Sequence, residues 1–318
     1  MHLHTSNNQR ASQPRWSERV LCANTHWNTR RCTNQGQNLK ATMQHNTKTA
    51  ETGAQLRSLY EPQGGVGQIF SNKVTDYAAS RPDYPDALFT ALRCACDLQQ
   101  GATVADIGAG TGLLTKGLLA QGYAVTAIEP SASMRAAADD ALSSFAGYLS
   151  ASGSAEQLPM PTSSVDLITA AQAFHWFDVK AARTEFLRVL KPQGKVALIW
   201  NDRVLSDPLH IALNGIFAQH GGEKRGAMLA HDERSEVPAF FGSSQPKELT
   251  WPHEHHLSEA ALLSLVFSRS YMPAQESAAG LRACEQVREV FQRLATDGRI
   301  AVRYNTVAII GRPGSCAD

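Results

Sequence analysis

The sequence predicts an α/β fold built on a doubly wound, mostly parallel sheet. Three observations carry that expectation. From about Ile69, short apolar runs of strand length alternate with segments of helical period. A glycine-rich turn links the first such run to the helix after it. No apolar stretch approaches the ~18 residues that would span a bilayer. A chain of 318 residues can bury a sizeable core around such a sheet.

The elements follow in order. Pro85–Arg93 opens with proline, which the first helical turn tolerates, and places Leu88 and Leu92 on one face. Ala102–Ile107 reads as a buried strand, Leu113–Gln121 as the helix after the turn, and Ala124–Ile128 as a second strand. Ser131 is placed to cap a helix running through Met134 and Ala138. Gly147–Ser152, Val165–Ala171 and Lys195–Trp200 supply three more strands. Val179, Ala182, Phe186 and Val189 form the apolar stripe of an amphipathic helix, which Lys191-Pro-Gln-Gly194 should end. Beyond Arg203 the alternation lapses into helical segments at Leu209–Gln219, Glu259–Phe267 and Leu281–Leu294. Strands near Lys247–Trp251 and Ala301–Ile310 bring the count to seven.

The chain is 43% hydrophobic and 19% charged with a net charge of +1, which speaks against nucleic acid or an anionic membrane as a partner. Residues 1–66 carry eight basic residues against three acidic ones and no apolar period. They read as a disordered basic tail, with a transit peptide or an extension upstream of Met43 as alternatives. Residues 67–318 form the expected domain, in which 203–300 shape an acceptor pocket. The cysteines (Cys22, Cys32, Cys94, Cys96, Cys284 and Cys316) form no C-x-x-C pair, so neither zinc nor a disulfide framework is expected, and a reducing, cytoplasmic setting fits. Cys94-Ala-Cys96 is expected to be buried. His253-Glu-His-His256 reads as a solvated strand-to-helix junction rather than a metal box.

The turn Gly108-Ala-Gly110-Thr-Gly112 places a ligand at a helix N-terminus, where glycines allow close backbone approach. Glu129 ends the next strand, where a carboxylate can accept hydrogen bonds from ribose hydroxyls. This pairing indicates an adenosine-containing cofactor. Three details favour S-adenosylmethionine over a nicotinamide dinucleotide. Asp106, just before the turn, would repel a pyrophosphate and can face an ammonium. Leu113 stands where the dinucleotide fingerprint wants its third glycine. Ser154-Ala-Glu-Gln-Leu-Pro159 places an acid where an adenine amino group can be held.

Val104–Gly112, Ala127–Ser131, Ser154–Pro159, Val165–Trp176 and Arg188–Gly194 resemble the successive motifs of class I S-adenosylmethionine-dependent methyltransferases. Tyr77–Pro85, Gln172–Phe177 and Ser268-Arg-Ser-Tyr271 resemble signatures of the branch that includes the ubiquinone-biosynthesis and trans-aconitate methyltransferases. The resemblance, over about residues 69–312, implies a Rossmann-like sheet with an antiparallel final strand and a helical insertion after the fifth strand. It also implies roles. Gly108 and Gly110, with Ala109 and Gly112 beside them, pass close to the methionine part, with Asp106 behind. Glu129 and Pro130 lie at the ribose, Met134 packs on the adenine, and Ala155 and Glu156 flank its edge. Gln172 offers its backbone carbonyl to the methionine ammonium. Gln193 departs from the glycine often found there, at a turn remote from the chemistry.

Methyl transfer from a sulfonium needs mainly a nucleophile held in line and water excluded. His175 and Trp176 are therefore expected to wall the acceptor pocket, with His175 the one weak candidate for a base. Tyr77 and Arg81 belong to an N-terminal lid, and Asn201-Asp-Arg203 is a further candidate for the acceptor side. The expected activity is methylation of a small molecule on oxygen, nitrogen or carbon. A non-catalytic cofactor-binding regulator and a nicotinamide-dependent oxidoreductase stand as alternatives.

Overall fold

The computed structural model describes residues 80–230 and 234–314. The basic segment 1–66 and Tyr77 lie outside the described residues. Helix α1 (Asp86–Cys96) leads into β1 (Thr103–Ile107), α2 (Leu113–Ala120), β2 (Ala124–Ile128), α3 (Ala132–Leu142), β3 (Tyr148–Ala151) and β4 (Val165–Ala171). A short 3₁₀ turn (Phe174–Trp176) precedes α4 (Val179–Val189) and β5 (Leu190–Arg203). The chain then runs through α5 (Pro208–His220), α6 (Gly222–Ala230), α7 (Val237–Phe241), β6 (Lys247–Leu257), α8 (Glu259–Phe267), α9 (Ala278–Leu294) and β7 (Ile300–Gly311).

The strands form one seven-stranded sheet in the order β3-β2-β1-β4-β5-β7-β6. Pairings from β3 to β5 are parallel, and β7 runs antiparallel to both β5 and β6. The strand order reverses between β1 and β4, and the crevice at their carboxyl ends is where open α/β sheets bind ligands. The central strands are apolar on both faces because both are covered. Along β5, Val196, Leu198 and Trp200 enter one core, while Ala197 and Ile199 enter the other with α1 and α2. Leu88 and Leu92, a helical turn apart as expected, carry α1 into that second core. A third core joins α5, α8 and α9 to Leu257 of β6 and to Ile300, Val302 and Tyr304 at the start of β7.

Local sequence explains the helix starts. Side chains of Ser131, Asp178, Asp207, Ser258 and Ser277 each accept a backbone N–H in the first turn of their helices. The stripe of α4 is buried as expected, with Ala182, Phe186 and Val189 fully enclosed.

Three expectations change. Lys191–Gly194 does not separate α4 from a strand starting at Lys195. Strand β5 begins at Leu190, pairs with Val165, and bulges before Lys195 pairs with Leu167. The Arg312 guanidinium bridges the bulge by donating to the carbonyls of Lys191 (2.8 Å) and Gly194 (3.0 Å). His253–His256 lies inside β6 rather than at a junction, because the β6–β7 ladder continues to Leu257↔Ile300. Pro252 is tolerated there because β6 is the edge strand. Glu254 of this run pairs with Arg303 (2.7 Å), and no group of three metal-ligating side chains forms among the described residues. Finally, Cys94 is exposed and Cys96 half-buried, since the buried stripe of α1 passes through Leu88, Phe89 and Leu92. No described helix is long and apolar enough to cross a membrane.

Candidate functional site

Four strand ends converge on one cavity. Gly108 and Gly110 come from the turn after β1, Glu129 and Pro130 from the end of β2, and Met134 from α3. Ser154, Ala155 and Glu156 follow β3, and Ala171–Ala173, Trp176 and Phe177 follow β4. The glycines are needed for different reasons. Gly108 (φ 66°) passes so close to Ala173 that a Cβ would lie 2.7 Å from the alanine methyl. Gly110 (φ 58°) would point a Cβ into open space with no atom within 4 Å, leaving its backbone bare toward the cavity.

Glu129 is fixed before any ligand arrives. One carboxylate oxygen accepts from the Gly110 N–H (3.0 Å), the other from the Ser131 N–H (2.9 Å). The Arg135 guanidinium donates to the Glu129 backbone carbonyl (2.6 Å). Burial pushes the Glu129 carboxyl upward, opposed by those two N–H donors and by Arg135. Each oxygen keeps a further lone pair with which to accept a hydroxyl.

Asp106 sits differently from the expectation that its charge faces a ligand. It is 1% exposed, is absent from the cavity wall, and accepts Thr115 Oγ1 (2.6 Å) on one oxygen and Thr169 Oγ1 (2.7 Å) on the other. It therefore ties the first turn of α2 to β4, behind the glycine turn. Burial pushes its pKa up to about 6, against the pull of the two hydroxyl donors. Ala109 and Gly112 also lie off the wall; Gly112 caps α2 in a left-handed conformation.

At the end of β4, Gln172 is left-handed (φ 57°), an uncommon state for a residue with a side chain. Its N–H donates to the Ile199 carbonyl (2.9 Å), continuing the parallel ladder past β4. The 3₁₀ turn that follows spaces its residues about a third of a revolution apart. Phe174 enters an aromatic core with Phe177, Trp200 and Phe240, and Trp176 faces the cavity. His175, packed on the Trp176 ring at 4.7 Å, lines neither this cavity nor the one described next. Of the pair expected on the acceptor side, Trp176 lines the first cavity and His175 packs against its ring.

A second cavity opens on the other side of Gln172. Its wall includes Arg81, Tyr84 and Leu113, then Asn201, Asp202 and Arg203 at the end of β5 and Leu205 after it, Arg269 after α8, and Tyr304 and Asn305 of β7. Asp202 is held by the Arg234 guanidinium, which donates to both of its oxygens (2.8 Å each). Arg234 also lies over the Trp200 ring at 4.5 Å.

A methyltransferase domain model matches residues 105–198, the stretch from β1 to the middle of β5. An uncharacterized methyltransferase of Mycobacterium tuberculosis is 33% identical over 243 residues, covering 76% of this chain and 93% of that protein. The chain belongs to the methyltransferase family. Another relative, an uncharacterized methyltransferase of Schizosaccharomyces pombe, is 37% identical over 144 residues, 45% of this chain and 56% of its own. Among solved structures, a putative type II methyltransferase from Anaeromyxobacter dehalogenans aligns with a TM-score of 0.51 at 24% identity, over 73% of this chain and 97% of its own. A putative methyltransferase from an antibiotic biosynthesis pathway of Anabaena variabilis aligns with a TM-score of 0.52 at 20% identity, over 73% and 98% of the two chains. These two show the same fold.

This methyltransferase uses S-adenosylmethionine as its methyl donor, and its first cavity fits that group. The bare backbone at Gly110 offers a cradle that any Cβ would fill, and the pre-oriented Glu129 carboxylate faces the same space. Of the residues the sequence singled out for the cofactor, Gly108, Gly110, Glu129, Pro130, Met134, Ala155, Glu156 and Gln172 line this cavity. Ile107, Ser154, Ala171, Ala173 and Phe177 line it too; each lies inside one of the motifs, although none was singled out for the cofactor. Arg81 and Asn201–Arg203, expected on the acceptor side, line the second cavity together. Arg269 and Tyr304 join them with no local signal beyond the Ser268–Tyr271 motif.

Proposed function

We propose that this methyltransferase transfers the S-methyl group of S-adenosylmethionine to a small-molecule acceptor seated in the second cavity. The observation that carries the reading is that Gln172 lines both cavities, so the two are neighbours across one residue. In this reading Glu129 accepts the ribose hydroxyls, Gly108 and Gly110 border the methionine part, and Met134 packs on the adenine. Ala155 and Glu156 lie at the adenine edge. Glu156 has one oxygen already taken by the Asp178 N–H (2.8 Å), which leaves the other for the adenine amino group. Gln172 turns its backbone carbonyl to the methionine ammonium, and its left-handed conformation serves that role. Asp106 acts at one remove, by holding α2 and β4 on either side of the glycine turn.

The donor supplies a methyl carbon already attached to a good leaving group. The residues of the chain therefore have to position the acceptor and keep water out rather than supply an acid and a base. Trp176 and Phe177 wall the donor side with apolar surface. The motifs at Arg81–Pro85, Gln172–Phe177 and Ser268–Tyr271 support a place in the branch with the ubiquinone-biosynthesis and trans-aconitate methyltransferases.

Calorimetric titration with S-adenosylhomocysteine, followed by a turnover screen over acids, phenols, quinols and amines, tests the reading. Binding that disappears in Glu129→Ala, with turnover of at least one acceptor class, is the expected result. Full affinity in Glu129→Ala would sink the placement of the ribose, and binding without turnover of any class would favour a regulator.

A further inference from the structure

The second cavity has an apolar side, formed by Pro82, Tyr84, Leu113 and Leu205, and a polar one. On the polar side, Asn201 and Asp202 turn their side chains to the protein itself. Asn201 donates to the Asp83 carbonyl (3.3 Å) and accepts from Thr306 Oγ1 (2.6 Å), and both oxygens of Asp202 accept from Arg234. Tyr304 lines the same cavity and differs from them. It is 4% exposed, and among the described residues its hydroxyl has no hydrogen-bond partner. The ring itself is firmly held. It belongs to the third core, stands in register between Arg203 of β5 and His253 of β6, and packs edge-to-face with the His210 ring of α5 at 5.6 Å.

A buried hydroxyl without a partner is unfavourable, and folded proteins keep few of them. Nothing in the packing calls for this oxygen, since phenylalanine would fill the same place in the core. Burial pushes the phenol above its ordinary value, against the fields of Arg269, Arg81 and Arg203, so at neutral pH it holds its proton and can donate it in a hydrogen bond. We propose that Tyr304 is a specificity residue, whose hydroxyl donates to a carbonyl or hydroxyl oxygen of the acceptor while the acceptor's apolar body lies against Tyr84, Leu113 and Leu205. Tyr304 stands two strands away from β4, whose end carries Gln172. The oxygen it holds is therefore a recognition group, set back from the atom that takes the methyl. This inference rests on the acceptor occupying the second cavity.

The test titrates the S-adenosylhomocysteine complex by calorimetry with acetophenone, 1-phenylethanol and ethylbenzene, which share a shape and differ in the oxygen. Tyr304→Phe should weaken at least one oxygenated probe about threefold to tenfold, the worth of one neutral hydrogen bond. It should leave ethylbenzene and S-adenosylhomocysteine unaffected. Melting of the protein without acceptor supplies an independent measurement. Because the variant loses an oxygen that bonds nothing, its melting temperature should stay level or rise. A fall of several degrees, or failure to fold, would show that the hydroxyl serves the fold and would overturn the proposal. So would oxygenated probes whose affinity is unchanged in the variant, or one that weakens all three probes alike. Wild-type protein that binds S-adenosylhomocysteine and none of the three probes would instead overturn the second cavity as the place of the acceptor.

Discussion

Asp106 makes a quantitative prediction about stability. Its carboxyl titrates near 6 in the folded protein, against 3.8 for an ordinary aspartate. A group whose folded pKa is raised binds its proton more tightly when folded, so its stabilising contribution is present below the unfolded pKa and is lost as pH rises through the folded one. Each pKa unit corresponds to ~1.4 kcal/mol, and pH 4 already lies above the unfolded pKa, so this group removes roughly 2 kcal/mol of stability between pH 4 and pH 6.5. Asp106→Asn keeps the shape and one acceptor for the hydroxyls of Thr115 and Thr169, and it does not titrate. Urea denaturation of both proteins without cofactor, from pH 4 to pH 8, isolates the effect as a difference. The variant should gain on the wild type by roughly 2 kcal/mol across that range, with the change centred between the two pKa values. A stability gap that stays flat with pH would refute the account, as would one that moves the other way.

Four further outcomes are expected. Glu129→Ala removes the acceptor for the Gly110 and Ser131 N–H groups as well as for the ribose, and should weaken S-adenosylhomocysteine binding by at least a hundredfold in calorimetry, the equivalent of about 3 kcal/mol. Gly110→Ala places a Cβ in the cradle at a left-handed φ that costs alanine about 1–2 kcal/mol, so affinity should fall while the circular dichroism spectrum is retained. Gly280→Ala would set a Cβ 2.1 Å from the Ala274 carbonyl oxygen at the start of α9, and should lower the melting temperature without touching donor affinity measured well below it. Phe240→Ala empties a fully buried site among Phe174, Phe186 and Phe241, and should cost about 3–5 kcal/mol in urea denaturation.

The donor half was legible in the sequence because its parts are local. A single segment, 106–113, contains the strand end, the turn and the helix start, and Glu129 follows at the end of the next strand. The regular alternation through Trp200 similarly delivers the sheet, since each run either buries both faces or one stripe. The partners of Asp106 were not legible, because sequence spacing says that it adjoins the turn but not which way its side chain points. Its partner Thr169 is 63 residues away on β4. Helices α6 and α7 escaped notice for different reasons. The first has a mixed surface with no clean stripe, and the second is five residues long and opens with a valine–proline pair that reads as a turn.

The second cavity is assembled rather than encoded in one place. Strand β5 extends beyond its pairing with β4, which ends at Ile199, and Asn201–Arg203 pair only with β7. That overhang sets Asp202 opposite Asn305 and Arg203 opposite Tyr304, and so forms the floor of the second cavity. Side chains alternate faces along a strand, so a slip of one residue in the β5–β7 register would put Arg203 and Tyr304, now paired, on opposite faces. The register is held from both ends: by the bulge at Lys191–Gly194, which Arg312 bridges, and by the hydrogen bond from Thr306 Oγ1 to Asn201 Oδ1 (2.6 Å). Residues remote from the cavity thereby decide which charges line it. The first cavity is a property of one turn and the strand ends around it, and the second a property of how two long strands align.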